Sequence, residues 1–223
     1  MEWVDGADSW VALAFEAVDG DSPPLPWTPA TAARALAAVS DFARQATPCP
    51  VPGLPPLADR VARQLTAWPL LAADPPADLD PWAAGRLDWL AAVGDRVATR
   101  GTLAGDTLVH LDLRADNLLL TPGGGTVLVD WPWACRGPAW VDTVVLALDT
   151  AVHGGLDPQA LVSGLPAVAG ADPADVTDLL VVLAGMFCWT TRQPPPPGLP
   201  TLRAFQRSFA TATLDWLSRR ASS

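Results

Sequence analysis

The chain has no tyrosine and no lysine, so its 14 basic residues are all arginine. Glutamate is nearly absent as well: of 24 acidic residues only Glu2 and Glu16 are not aspartate. The three cysteines, Cys49, Cys135 and Cys188, lie far apart and form no CxxC pair. That excludes a zinc-ribbon or disulfide framework and fits a reducing, cytoplasmic setting. The N-terminus carries Glu2, Asp5 and Asp8 and no basic run, unlike a secretory signal. The longest uncharged apolar run, Leu179 to Trp189, is too short to span a bilayer, so no membrane association is expected. A net charge of −10 argues against nucleic acid as a partner. It would draw cationic small molecules, although acidity is also an ordinary route to solubility. What is present is a globular composition: 223 residues, half of them apolar, with mean hydropathy +0.22. A chain of this length buries roughly 70% of its unfolded surface and needs no metal or disulfide to fold.

The most informative stretch is LVHLDLRADNLLLTPGGGTVLVDWPWACRGPAWVD, residues 108–142. Thr107 to Leu111 reads as a strand and is followed by a polar loop with Asp112, Arg114, Asp116 and Asn117. Leu118 to Thr121 and Thr126 to Val129 read as two further strands, joined by the turn Pro122-Gly123-Gly124-Gly125. The glycines lie between strands rather than before a helix, so they signal a hairpin turn and not a phosphate cradle. The hairpin should bring Asn117, at the start of one strand, near Asp130, at the end of the other. Mg²⁺ takes hard oxygen ligands, commonly one or two from protein together with phosphate and water. Asn117 and Asp130 can supply them, which leaves Asp112 free to accept a proton from a hydroxyl. Phosphoryl transfer divides its labour in this way.

His110-x-Asp112-x4-Asn117, with Asp130 thirteen residues further on and Asp142 after Gly137-Pro138, resembles the catalytic segment of the aminoglycoside phosphotransferase and choline kinase-like family. That family is a distant relative of the protein kinases. The resemblance implies ATP as phosphate donor, Mg²⁺, and a small-molecule hydroxyl as acceptor. It implies that Asp112 is the catalytic base and that Asn117 and Asp130 hold the metal. It makes His110, Arg114 and Asp142 structural supports of the loop. Two departures stand out. Leu111 occupies a position where many members have glycine, and Trp131-Pro132 replaces the Phe-Gly of protein kinases.

The rest of the chain reads as mainly helical with one small β-hairpin, which the resemblance identifies as the helical C-terminal lobe of a protein-kinase-like fold. Helices are expected over Pro29 to Gln45 behind Thr28, over Leu57 to Trp68, and from Pro81 to about Thr99 behind Asp80. Others are expected over Ala139 to His153, Asp157 to Gly164, Pro173 to Thr191 and Thr201 to Arg220. Most of the 11 tryptophans should pack in the core, and His153 should cap a helix or lie on the surface. Trp10 to Val18 reads as a buried strand. By resemblance it closes an N-terminal lobe and leads into a hinge, whose backbone at Glu16, Ala17 and Val18 would hold adenine.

The expected organisation is therefore residues 1–27 as the remnant of an N-terminal lobe and hinge, and residues 28–223 as the helical lobe. No G-x-G-x-x-G loop precedes the hinge strand, and no lysine is present to hold the α- and β-phosphates. The chain by itself is thus expected to fold but to transfer no phosphate, with self-association through the exposed edge of the hinge strand. The competing readings are a non-catalytic kinase-like binding or scaffold module and a metal-dependent hydrolase. The second lacks the additional His and Asp ligands that two-metal sites need.

Overall fold

The computed structural model describes residues 2–5 and 11–221. Two short strands, β1 (Glu2–Asp5) and β2 (Val11–Ala14), pair antiparallel. The hinge strand is therefore shorter than the expected Trp10 to Val18. Residues 15–18 are irregular and belong to no strand, Trp10 lies outside the described residues, and β2 pairs with β1 where the strand was expected to present an unpaired edge.

Helix α1 (Pro29–Gln45) begins as its sequence dictates. Thr28 Oγ1 accepts a hydrogen bond from Thr31 N at 3.2 Å, Thr31 Oγ1 accepts one from Thr28 N at 3.0 Å, and proline fills the first helical position. The next stretch departs from expectation. In place of one helix there are α2 (Leu57–Arg60), a 3₁₀ turn at Gln64–Thr66, and α3 (Ala67–Ala73). Pro69 has no N–H for a bond to the preceding turn, so it is tolerated only in the first turn of a new helix. The single helix expected behind Asp80 is also broken, into α4 (Pro81–Ala84), α5 (Leu87–Ala91) and α6 (Val93–Arg100). The breaks fall at Gly85-Arg86, where glycine weakens the helix, and at Ala92, where helix propensity gives no reason for one.

Strand β3 (Thr107–Val109) pairs antiparallel with β6 (Cys135–Gly137), not with the hairpin. The hairpin is β4 (Leu118–Leu120) with β5 (Thr126–Leu128), and Gly124 takes φ 87° at its tip. Then come α7 (Val141–Gly154), α8 (Pro158–Val162), the unforeseen single turn α9 (Pro166–Ala169), α10 (Pro173–Thr190) and α11 (Leu202–Arg220). Asp80, Asp157 and Asp172 accept from backbone N–H groups at the starts of α4, α8 and α10, so the repeated Asp-Pro pairs are helix caps.

The core gathers around α7 and α10. By length and composition α10 could cross a membrane, but half of it is buried inside the fold, against α3, α6, α7 and α11. Trp68 lies flat enough on α10 to donate its indole N–H to the Val181 carbonyl at 2.7 Å. Gly185 permits this approach, because a Cβ there would come within 2.6 Å of the Trp68 ring. Trp27, Trp68, Trp140 and Trp216 are buried, whereas Trp89 and Trp133 are exposed. Arg96 on α6 pairs with the buried Asp178 of α10 at 2.9 Å. All three cysteines are free thiols.

Candidate active site

The loop between β3 and β4 is held from beneath by α7. Asp142, in its first turn, is buried and accepts backbone N–H bonds from His110 at 2.7 Å and from Leu111 at 2.8 Å. Burial pushes the Asp142 carboxyl above the usual carboxylate range, against the pull of those two bonds. Asp149 repeats the device two turns later. It accepts from Ala115 N at 3.1 Å and from the Trp27 indole at 2.8 Å, and burial raises its carboxyl too. Sequence reasoning found the first brace and missed the second. The available signal was an aspartate seven residues on, on the same face of a mainly apolar helix.

The braces hold a strained backbone. Leu111 has φ 68° and Asp130 has φ 63°, the two non-glycine residues in the left-handed region among those described. Left-handed backbone costs an ordinary residue about 1–2 kcal/mol, and such strain gathers at functional sites. Leucine at position 111 thus takes a conformation that glycine would adopt without strain, with Asp142 holding its N–H.

His110 is wholly buried, accepts a long bond at Nδ1 from Asp112 N at 3.3 Å, and places Nε2 2.8 Å from the Val129 carbonyl. Donation by Nε2 to a carbonyl and acceptance at Nδ1 together define the neutral tautomer with its proton on Nε2. Its ring packs on Trp131, 4.5 Å between centroids, and Trp131 packs in turn on Phe42. Trp131 thus acts as an apolar wedge under the loop.

Asn117 is buried. Its Nδ2 donates to the Asp112 carbonyl at 2.7 Å. A carbonyl can only accept, so this bond fixes the amide orientation and leaves Oδ1 as the free acceptor. The Asn117 carbonyl also accepts from Val129 N at 3.0 Å, one residue before the exposed Asp130. The hairpin therefore brings Asn117 and Asp130 to the same end, as expected. Among the described residues no cluster of three or more His, Cys, Asp or Glu side chains could enclose a metal. The donor set offered is one amide oxygen and one carboxylate, which suits an ion that also takes phosphate and water oxygens.

Asp112 is partly exposed and pairs with Arg114 at 2.7 Å. Desolvation raises its carboxyl and the Arg114 charge opposes that rise. The same guanidinium binds both oxygens of Asp116, at 3.1 and 3.0 Å, and helps hold that carboxyl below the usual range. Asp112 and Arg114 also form part of the wall of a cavity of about 360 Å³ between the loop, α2, α7, α10 and α11. His153 is neither a cap nor a surface residue: it is half-buried, stacked on Phe205 and 3.6 Å from Asp149. Of the hinge residues, Glu16, Ala17 and Val18 are exposed and irregular. A few residues on, Asp21 exchanges both backbone hydrogen bonds with Leu120, at 3.2 and 2.8 Å, which ties the segment to the hairpin.

No curated protein sequence matches the chain. Among solved structures it is similar to an aminoglycoside phosphotransferase from Alicyclobacillus acidocaldarius subsp. acidocaldarius DSM 446. That pair is 18% identical with a TM-score of 0.55, over 93% of this chain and 70% of that one. A choline/ethanolamine kinase family protein from Mesorhizobium loti is 16% identical with a TM-score of 0.48, over 87% and 62% of the two chains. Choline kinase LicA from Streptococcus pneumoniae is 12% identical with a TM-score of 0.47, over 82% and 63%. The chain thus spans less than two thirds of the latter two, and the likeness to the first is one of fold. The profile of the phosphotransferase enzyme family matches residues 1–173. That span takes in the loop, the hairpin and all of α7, and the chain belongs to the phosphotransferase enzyme family.

Proposed function

We propose that the chain is the helical lobe of an ATP-dependent phosphotransferase acting on the hydroxyl of a small molecule. The observation that carries this reading is the position of Asp112. It is a base with a raised carboxyl on the wall of a cavity, next to a hairpin end that presents Asn117 and Asp130. A hydroxyl entering the cavity gives its proton to Asp112 as its oxygen bonds to the γ-phosphorus. The bond from that phosphorus to the bridging oxygen breaks, and ADP leaves. Asn117 Oδ1 and the Asp130 carboxylate would hold Mg²⁺, which when bound neutralises phosphate charge. The exposed backbone at Glu16, Ala17 and Val18 would receive adenine.

Two measurements test the reading. In the protein extended at its N-terminus by a nucleotide-covering lobe, Asp112→Ala should lower alcohol-dependent ADP release by about 10²–10⁴-fold, the range for a positioned acid–base group. Nucleotide affinity should hold. Asp130→Asn should weaken binding of Mn²⁺, used as a paramagnetic probe of the Mg²⁺ site, more than Asn117→Ala does. Unchanged release in the first variant removes Asp112 from the chemistry. Superimposable Mn²⁺ titrations remove Asp130 from the metal.

A further inference from the structure

The cavity beside Asp112 is walled mainly by hydrocarbon and aromatic ring. Helix α10 gives it Val182, Leu183, Met186 and Phe187, and α11 gives it Phe205 and Phe209. Met186, Phe187 and Phe205 are only half-buried, and Trp133, also in the wall, is 48% exposed. Apolar side chains inside a fold are normally closed over by their neighbours. Here they face a chamber of about 360 Å³, within the size range of small-molecule sites.

The polar groups of the wall are engaged with one another or out of reach. Arg114 is shared between Asp112 and Asp116. Arg60 donates to the Ala134 carbonyl at 3.2 Å. Its Nε, like Gln64 Oε1, is shut off from water and so from anything in the chamber. Gln206 is the one polar side chain that α10 and α11 add to the wall, and its Oε1 accepts from Arg203 at 2.6 Å. Asp112 meets Arg114 through Oδ1, which leaves Oδ2 for a hydroxyl.

A sugar or an aminocyclitol placed here would set several hydroxyl or ammonium groups against hydrocarbon. Each would lose its water and gain no partner, which is costly. A hydrocarbon body has no such loss, and it removes apolar surface from water on both sides of the contact.

We infer that the acceptor is a compact alcohol with a hydrocarbon or aromatic body and no second polar group. Its hydroxyl lies at Asp112 and its body against α10 and α11. The inference rests on the phosphotransferase reading for the role of the hydroxyl, but its test needs no turnover.

The probes share one rigid cage: adamantylmethanol, and the same molecule bearing a second hydroxyl, a carboxylate or an ammonium group across the cage from its hydroxymethyl arm. In isothermal titration of this chain the parent alcohol should bind about tenfold or more tightly than any of the three polar forms. Met186→Gln, which keeps the length of the side chain, should weaken the parent alcohol by about tenfold. Val145→Thr, of nearly the same shape and on the α7 side of the chamber, should weaken it in the same direction. Equal or tighter binding of any polar form overturns the inference, as does failure of the parent alcohol to bind. A folded variant that binds the parent alcohol as the wild type does overturns it too. The wild-type comparison and Val145→Thr decide the matter even where Met186→Gln fails to fold. The two readings fail separately. Binding in this order without phosphate transfer in the lobe-extended protein would sink the phosphotransferase reading alone. Transfer to the polar forms in preference to the parent alcohol would sink the acceptor assignment alone.

Discussion

Asp142→Asn isolates what the loop owes to its brace. In the native fold both Asp142 oxygens are occupied, by N–H groups of His110 and Leu111 at 2.7 and 2.8 Å. Asparagine keeps one acceptor and turns an NH₂ toward the other N–H. One charge-assisted bond is lost and a buried donor is orphaned, at about 1–3 kcal/mol, while the surviving bond weakens by about 1 kcal/mol. In the other direction, a neutral amide avoids the desolvation that raises the Asp142 carboxyl. The net loss should be about 1–3 kcal/mol, or a Tm lower by roughly 2–12 °C for a chain of this size. The pH dependence has a definite sign. A carboxyl raised by folding gives stability that is full below its unfolded value, about 3.9, and lost as pH rises through the folded value. Acidification from neutral pH therefore favours the wild type through this group and does nothing for the amide. The Tm gap between the two proteins, followed by circular dichroism, should widen from pH 7.5 to pH 5. Coincident melts at both values, or a gap that narrows on acidification, would refute the account of Asp142 as a buried brace.

Two glycine substitutions should move in opposite directions. Gly185→Ala would gain about 1 kcal/mol in helix propensity, but its Cβ meets Trp68 at 2.6 Å. Overpacking of this kind costs about 1–3 kcal/mol, and the indole bond to Val181 is put at risk, so urea melts should show a net loss. Gly94→Ala, with nothing within 4 Å, should gain up to about 1 kcal/mol; the same sign for both would contradict the packing. Arg114→Met removes the charge that lowers Asp112, so the acid limb of the pH–rate profile of the lobe-extended protein should move to higher pH. An unmoved limb would show that Arg114 does not tune the base.

The parts of this molecule that were legible in the sequence are those whose signal is local. Thr28-Pro29, Asp80-Pro81 and Asp172-Pro173 announce helix starts because a cap acts within one turn. The hairpin and the relation of Asn117 to Asp130 followed from the turn Pro122 to Gly125. The pairing of β3 with β6 was not legible, because a three-residue strand shows no period and its partner reads as a loop. The helix breaks near Pro69, Gly85 and Ala92 were lost to an apolar spacing that runs on through them. The bonds of Asp149 to Trp27 and Ala115 depend on residues brought together from distant parts of the chain. Spacing carries no trace of such encounters.

The braces on α7 divide the lobe into a part that must not change and a part that can. Asp142 and Asp149 anchor the loop to a helix packed on α1, while much of the cavity wall comes from α10 and α11. Leu183, Met186 and Phe209 belong to those two helices and make none of the hydrogen bonds that hold the loop, so drift among them reshapes the chamber while those bonds stay in place. A scaffold partitioned in this way can change the shape of its chamber through single steps, each leaving the loop and the hairpin end in place.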